Sequence, residues 1–197
     1  MEPTANRAHT QRLAQMLLCG LLCFVLLPTI DLKAQDTPKL GFASEANYLA
    51  NIPKFVEWPA AAFPSDSAPL QVCIFAGKEF ADSVQQLVKD ERIHGRRVVI
   101  RLSPKPAELS NCHVLYLATL PQTPERAFLT RVEGKPVLTI GESANFLDQG
   151  GMIQFFFRDS LHMNVNFQAA TPLGLKMDPA LLSLASTVRG VQLVQGN

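Results

Sequence analysis

Between Leu70 and Ile140 the chain alternates two incompatible periods, and this alternation constrains the fold more than any other feature. Leu70 to Phe75 (LQVCIF) is a short apolar run bounded by Pro69 and Gly77, the pattern of a buried strand. Phe80, Val84, Leu87 and Val88 then repeat at helical spacing, with Asp82, Gln85, Gln86 and Lys89 on the remainder of the wheel. His94-Gly95 marks a turn. Val98 to Ile100, Cys112 to Leu117 (CHVLYL) and Val137 to Ile140 supply three more strands, and Phe128, Leu129 and Val132 mark a helix before the last. Strands separated by helices are βαβ units, so the predicted class is α/β: a mainly parallel sheet with flanking helices.

The flanks add a helix and a hairpin. Tyr48, Leu49, Ile52, Phe55 and Val56 share one helical face, with Ser44 as the expected N-cap. Pro53 interrupts that face and is expected to kink or split the helix; Trp58-Pro59 ends it. Gly150-Gly151 opens a strand, Met152 to Phe157, and Arg158-Asp159-Ser160 turns it into Leu161 to Phe167, a C-terminal antiparallel hairpin. Its second strand alternates. Leu161, Met163, Val165 and Phe167 point one way; His162, Asn164 and Asn166 point the other. A final helix is expected from Asp178 as N-cap and Pro179 at the first helical position through Leu181, Leu184, Ala185 and Val188 to Gly190.

Arg7 and Arg12 precede an apolar stretch, Leu13 to Leu27, that ends at Pro28 and Leu32-Lys33-Ala34. This reads as a secretory signal peptide over residues 1–34, the alternative being an uncleaved anchor. Residues 35–43 then read as a linker, 44–190 as one domain and 191–197 as a tail. The net charge of +1 becomes zero once the signal is removed, so nothing electrostatic points to nucleic acid. Cys19 and Cys23 leave with the signal. Cys73 and Cys112 remain in an exported setting, where a disulfide is the natural state, with free thiols or a zinc half-site as alternatives. In a parallel layout their strands can be neighbours, which brings the two cysteines within bridging distance.

Chemistry-bearing motifs are absent. There is no GxSxG, HExxH or Walker loop, and Gly150-Gly151 lacks dinucleotide spacing. Cys112 and His113 are adjacent, so on a strand their side chains diverge and cannot act as nucleophile and base. His113 and His94 read as structural. No catalytic residue, cofactor or metal is expected. The most suggestive polar set is Arg158, His162, Asn164 and Asn166 on the hairpin, with Lys176 shortly after, as a binding face for an anion or a partner carboxylate; the competing reading is a solvated sheet face. Trp58 is either a core plug or an interface anchor. Phe156 falls on the opposite face from Phe155, either under a helix or in an exposed apolar patch.

FVEWP (Phe55 to Pro59), the strand around Cys73, Gly95-Arg96, NCHVLYL (Asn111 to Leu117), VLTIGES (Val137 to Ser143), GGMIQF (Gly150 to Phe155) and LHMNVNFQAA with GLKMDPALLSLA occur in one order. In these segments the chain resembles the YfiR-like periplasmic proteins. The resemblance implies an exported, non-enzymatic repressor, usually a homodimer, that engages the periplasmic sensor region of a membrane-bound diguanylate cyclase. By lowering cyclic di-GMP such a repressor restrains biofilm formation, and an outer-membrane lipoprotein can titrate it away. Pro53 departs from the family pattern, and the single mature cysteine pair leaves no second disulfide for redox control. A periplasmic small-ligand sensor, or an accessory protein of another membrane signalling system, is the alternative reading.

Overall fold

The computed structural model describes residues 37–118 and 125–190. Helix α1 (Thr37–Asn51) runs into a 3₁₀ turn over Ile52–Phe55 and then strand β1 (Val56–Glu57). There follow β2 (Leu70–Phe75), α2 (Lys78–Val88), β3 (Arg92–Ile93), β4 (Arg96–Leu102), β5 (Val114–Leu117), α3 (Glu125–Val132) and β6 (Leu138–Gly141). The C-terminal part holds β7 (Ile153–Phe157), β8 (Leu161–Asn166), α4 (Phe167–Ala170), β9 (Lys176–Met177), α5 (Pro179–Ser183) and β10 (Thr187–Arg189).

The sheet order is β10-β8-β7-β6-β5-β2-β4-β3. From β4 to β7 every pair is parallel, as the alternating periods require. The hairpin partner β8 is antiparallel to β7, and β3 is antiparallel to β4 across the His94-Gly95 turn. Both turn residues have positive φ, 50° at His94 and 79° at Gly95, as a two-residue hairpin loop demands. β1 and β9 form a separate antiparallel ladder.

Two cores cover the two faces. Val72, Ile74, Val114, Tyr116, Leu138, Ile140 and Phe155 pack with Leu49 of α1 and with Phe80, Val84 and Val88 of α2. On the other face Cys73, Leu115 and Leu117 pack with Leu109, Leu129, Val132 and Phe146. The period of two along each strand therefore feeds both cores. Cys73 and Cys112 are joined in a disulfide at a Cα separation of 5.8 Å, under the second core. Phe146 is buried against the backbones of Gly141 and Gly151, where a side chain of any size would collide with its ring.

Several local expectations are corrected. α1 begins at Thr37, inside the stretch read as linker, so Ser44 lies within the helix and does not cap it. Pro38 sits in its first turn, where a missing N–H costs nothing. The helix does split before Pro53, which is accommodated near the start of the 3₁₀ turn. Cys112 caps a 3₁₀ turn (Pro106–Asn111), and strand β5 starts only at Val114. The last helix starts as expected, with Asp178 accepting from the Ala180 N–H at 2.7 Å, but it stops at Ser183. Thr187 to Arg189 instead form β10, because the edge of β8 offers them a parallel ladder and Ser186 N–H donates to Met163 O at 2.8 Å. The signal-peptide segment 1–34 and the tail 191–197 lie outside the described residues. Among the described residues no helix is long and apolar enough to cross a membrane.

Candidate functional site

The hairpin alternates as its sequence requires. Leu161, Met163 and Val165 are buried on the α1 side, while His162, Asn164 and Asn166 are half-buried on the other. On that second side Glu142, Ala144, Gln154, Phe156, Arg158, His162, Asn164, Ser186 and Thr187 line a groove of about 570 Å³. Sequence order among the parallel strands reverses between β2 and β5, the point where open α/β sheets usually hold small ligands. This groove lies elsewhere, on the part of the sheet that the hairpin adds.

Its floor is a hydrogen-bonded chain that runs from the segment after β6 across β7, β8 and β10. Gln154 Nε2 donates to Ser143 O at 2.8 Å, Asn164 Nδ2 donates to Gln154 Oε1 at 3.0 Å, and Thr187 Oγ1 donates to Asn164 Oδ1 at 2.7 Å. These amides satisfy one another, so the floor is neutral and stiff. Recognition falls to the rim. The Phe156 ring stacks on the directly opposite His162 at 5.4 Å between centroids, and the Arg158 guanidinium stands 5.6 Å from the same ring. Of the two readings for Phe156, the helix-covered one is not met: the ring faces the groove between a cation and an imidazole. Phe157, on the α1 side, is the exposed phenylalanine of this strand and reaches Gly41.

His162 is held at both ring nitrogens. Nε2 lies 3.0 Å from Asp159 Oδ1 and 3.3 Å from Ser160 Oγ, and Nδ1 lies 3.4 Å from Ser186 Oγ. With Nε2–H donated to Asp159, Nδ1 accepts from Ser186, and this bond to His162 holds the Asp159 carboxyl below the usual range. Serine, histidine and aspartate in line have the composition of a nucleophile relay. Here Asp159 is 86% exposed, Ser160 shares its imidazole nitrogen and the Ser186 contact is long, so the arrangement orients a ring and provides no water-excluded base.

The structure brings together Arg158, His162 and Asn164, and separates the other three candidates. Asn166 spends its side chain locally: Oδ1 accepts from Ala169 N–H to cap α4, and Nδ2 donates to Gly151 O, both at 3.3 Å. Lys176 is in β9, paired to Glu57 at 3.9 Å. Trp58 follows β1, half-buried, with Nε1–H donating to His113 O at 3.1 Å. It lines a different hollow with Phe63, His94 and Arg96. His113 is structural as expected. Its Nδ1 accepts from Gln71 N–H at 3.1 Å, Nε2–H donates to Ala62 O at 3.2 Å and the ring stacks on Phe63.

Sequence reading missed Phe156, Gln154, Ser186 and Thr187 as groove residues. It also missed a buried acid cluster beside the groove, in which the Tyr116 hydroxyl donates to Glu142 and bonds to Glu45 of α1. Burial first, and Glu142 second, push the Glu45 carboxyl up to about 7. Glu142, half-buried just after β6, gave no signal for this, because Glu45 arrives from a helix distant in sequence. Among the described residues no three His, Cys, Asp or Glu side chains gather as a metal site.

A family model described as YfiR/HmsC-like matches residues 42–186. Among solved structures, a conserved domain protein from Vibrio cholerae O1 biovar El Tor is 14% identical at a TM-score of 0.48. The ABC domain in complex with L-Trp from Streptococcus pneumonia is 8% identical, also at 0.48. Each likeness covers 75% of this chain and 60% of the other, so the chain spans less than two thirds of either structure.

Proposed function

The chain belongs to the YfiR/HmsC-like family, and from that premise we propose that it is an exported, non-enzymatic regulator that binds the periplasmic region of a membrane-bound diguanylate cyclase and holds it inactive. The observation that carries this reading is the family match across residues 42–186, nearly all of the described residues. The groove fits it: a stiff neutral floor with Arg158, His162 and Phe156 at the rim offers one cation and one aromatic anchor to a partner, and no reacting constellation. To inhibit, the protein needs only to bind the inactive cyclase more tightly than the active one, by a few kcal/mol for a strong shift. Export by the N-terminal segment, action as a homodimer and release by an outer-membrane lipoprotein belong to the same proposal.

The test is capture of partners by the tagged protein from detergent-solubilised membranes of its own host, together with cyclic di-GMP measurement after gene deletion. Recovery of a protein with a periplasmic sensor and a cytoplasmic cyclase, and a rise in cyclic di-GMP, are the expected results. A well-folded bait that brings down no membrane signalling protein sinks the reading.

A second reading, a small-ligand sensor, is favoured by one observation: Phe156 lies between a guanidinium and an imidazole in a groove of about 570 Å³. Thermal shift against small aromatic carboxylates separates the two, since a ligand of the folded state raises the melting temperature.

A further inference from the structure

Strand β4 is longer than the strand that covers it. β3 pairs only with Arg96 and Arg97, so among the described residues the outer edge of β4 from Val98 to Leu102 has no strand beside it. On the inner edge the same five residues pair with β2. In a parallel ladder alternate residues bond to either side. The outward N–H and C=O groups of this segment are therefore a template for one more strand.

The two faces of this edge differ in chemistry. Val98 is buried in the core under α2, Ile100 packs partly against that core, and Leu102 on the same face is 42% exposed. The opposite face carries Arg97 and Arg101, with Arg92 of β3 directly across from Arg97. Arg92 donates to Gly95 O and Arg101 donates to Gln71 Oε1. Among the described residues none of the three is ion-paired with a carboxylate. Like charges directly opposite one another weaken a strand pair, yet this chain of net charge +1 sets Arg92 against Arg97 at the start of the open segment and places Arg101 on the same face within it.

We propose that this edge takes an extended acidic segment of a partner protein as an added strand. Residues i and i+2 of a strand share a face and stand about 7 Å apart at ~3.3 Å per residue. The place beside Arg97 is held by Arg92 of β3, so an added strand lies along Val98 to Leu102: carboxylates opposite Val99 and Arg101 take the arginine face, the first diagonal to both Arg97 and Arg101, while the residues opposite Ile100 and Leu102 turn apolar side chains to the other face. The backbone supplies affinity and the alternating faces supply selection. The same charge disfavours a second copy of this chain, because antiparallel pairing of the two open segments about Ile100 sets Arg101 of each copy diagonal to Arg97 and Arg101 of the other. The inference rests on this edge alone and is independent of the identity of the signalling partner.

The probe is a fluorescein-labelled nine-residue peptide of alternating glutamate and valine, titrated into the purified protein. Saturable binding is expected, with amide exchange slowed at residues 98–102. Affinity should fall at least tenfold for a peptide with lysine in place of glutamate, and equally for the Arg97→Glu/Arg101→Glu protein, whose folding a thermal melt verifies. No binding at millimolar concentration, binding that survives the double charge reversal, or protection elsewhere overturns the proposal.

Discussion

Glu45 of α1 and Tyr116 of β5 share a hydrogen bond inside the core, and the Tyr116 hydroxyl also donates to Glu142. Loss of water around Glu45, then the charge of Glu142, push its carboxyl from 4.5 up to about 7. The folded state therefore holds a proton that the unfolded state releases between those values. Stability falls as pH rises from about 4.5 through about 7 and is level above, by roughly 2 kcal/mol after allowance for residual solvation. Glu45→Gln should flatten that slope and melt higher than the wild type at pH 8. Thermal melts of both proteins from pH 5 to 8 check this; parallel curves would refute it.

His113 acts in the opposite sense. Burial first, and Arg96 as well, lower its pKa from 6.5 against the pull of the Ala62 carbonyl. The unfolded chain takes up a proton that the folded ring refuses, so this group removes stability as pH falls below about 6.5. NMR titration of the ring nitrogens should give a midpoint below the ordinary value, with the proton on Nε2 and Nδ1 bare. A midpoint at or above 6.5 contradicts the geometry.

The Cys73–Cys112 bridge closes a sequence separation of 39 residues, which the chain-entropy estimate values at roughly 4 kcal/mol. Cys73→Ser/Cys112→Ser should lower the urea midpoint correspondingly, and reductant should reproduce the shift in the wild type but leave the variant unmoved.

Phe146 lies where a side chain at Gly151 would stand, and at Gly141 too. Gly151→Ala should destabilise by about 1–3 kcal/mol through overpacking. Combining it with Phe146→Leu should recover part of that loss, a coupling that a double-mutant cycle reads directly.

If the groove is the partner surface, its rim outweighs the outlying candidates. Arg158→Glu should reduce capture of the membrane partner at least tenfold, whereas Lys176→Glu, in a separate ladder paired to Glu57, should leave it near wild type. Quantitative pull-down with both variants decides; equal effects would move the surface away from the hairpin.

Most elements were legible because their signals are local. LQVCIF reads as a strand over Leu70–Phe75, the Phe80 face as a helix ending at Val88, and the hairpin alternates residue by residue. The Thr187–Arg189 segment was not, since its apolar spacing continues the helix and only the open edge of β8 turns it into a strand. The site was legible by half. Arg158, His162 and Asn164 share a strand face that a period of two exposes, while Asn166 at the end of that face is consumed in capping α4.

By itself the sequence determined the alternation of strand and helix, the inward face of each and the family. Those follow from side-chain periodicity and composition, which the chain carries locally. Tertiary structure decided which polar groups meet: Ser186 and Thr187 reach the hairpin only because β10 docks on β8, and Glu45 meets Glu142 only because α1 packs in the same core as Tyr116. Such meetings depend on which edges and faces remain unpaired once every other element has packed, and no local pattern encodes that.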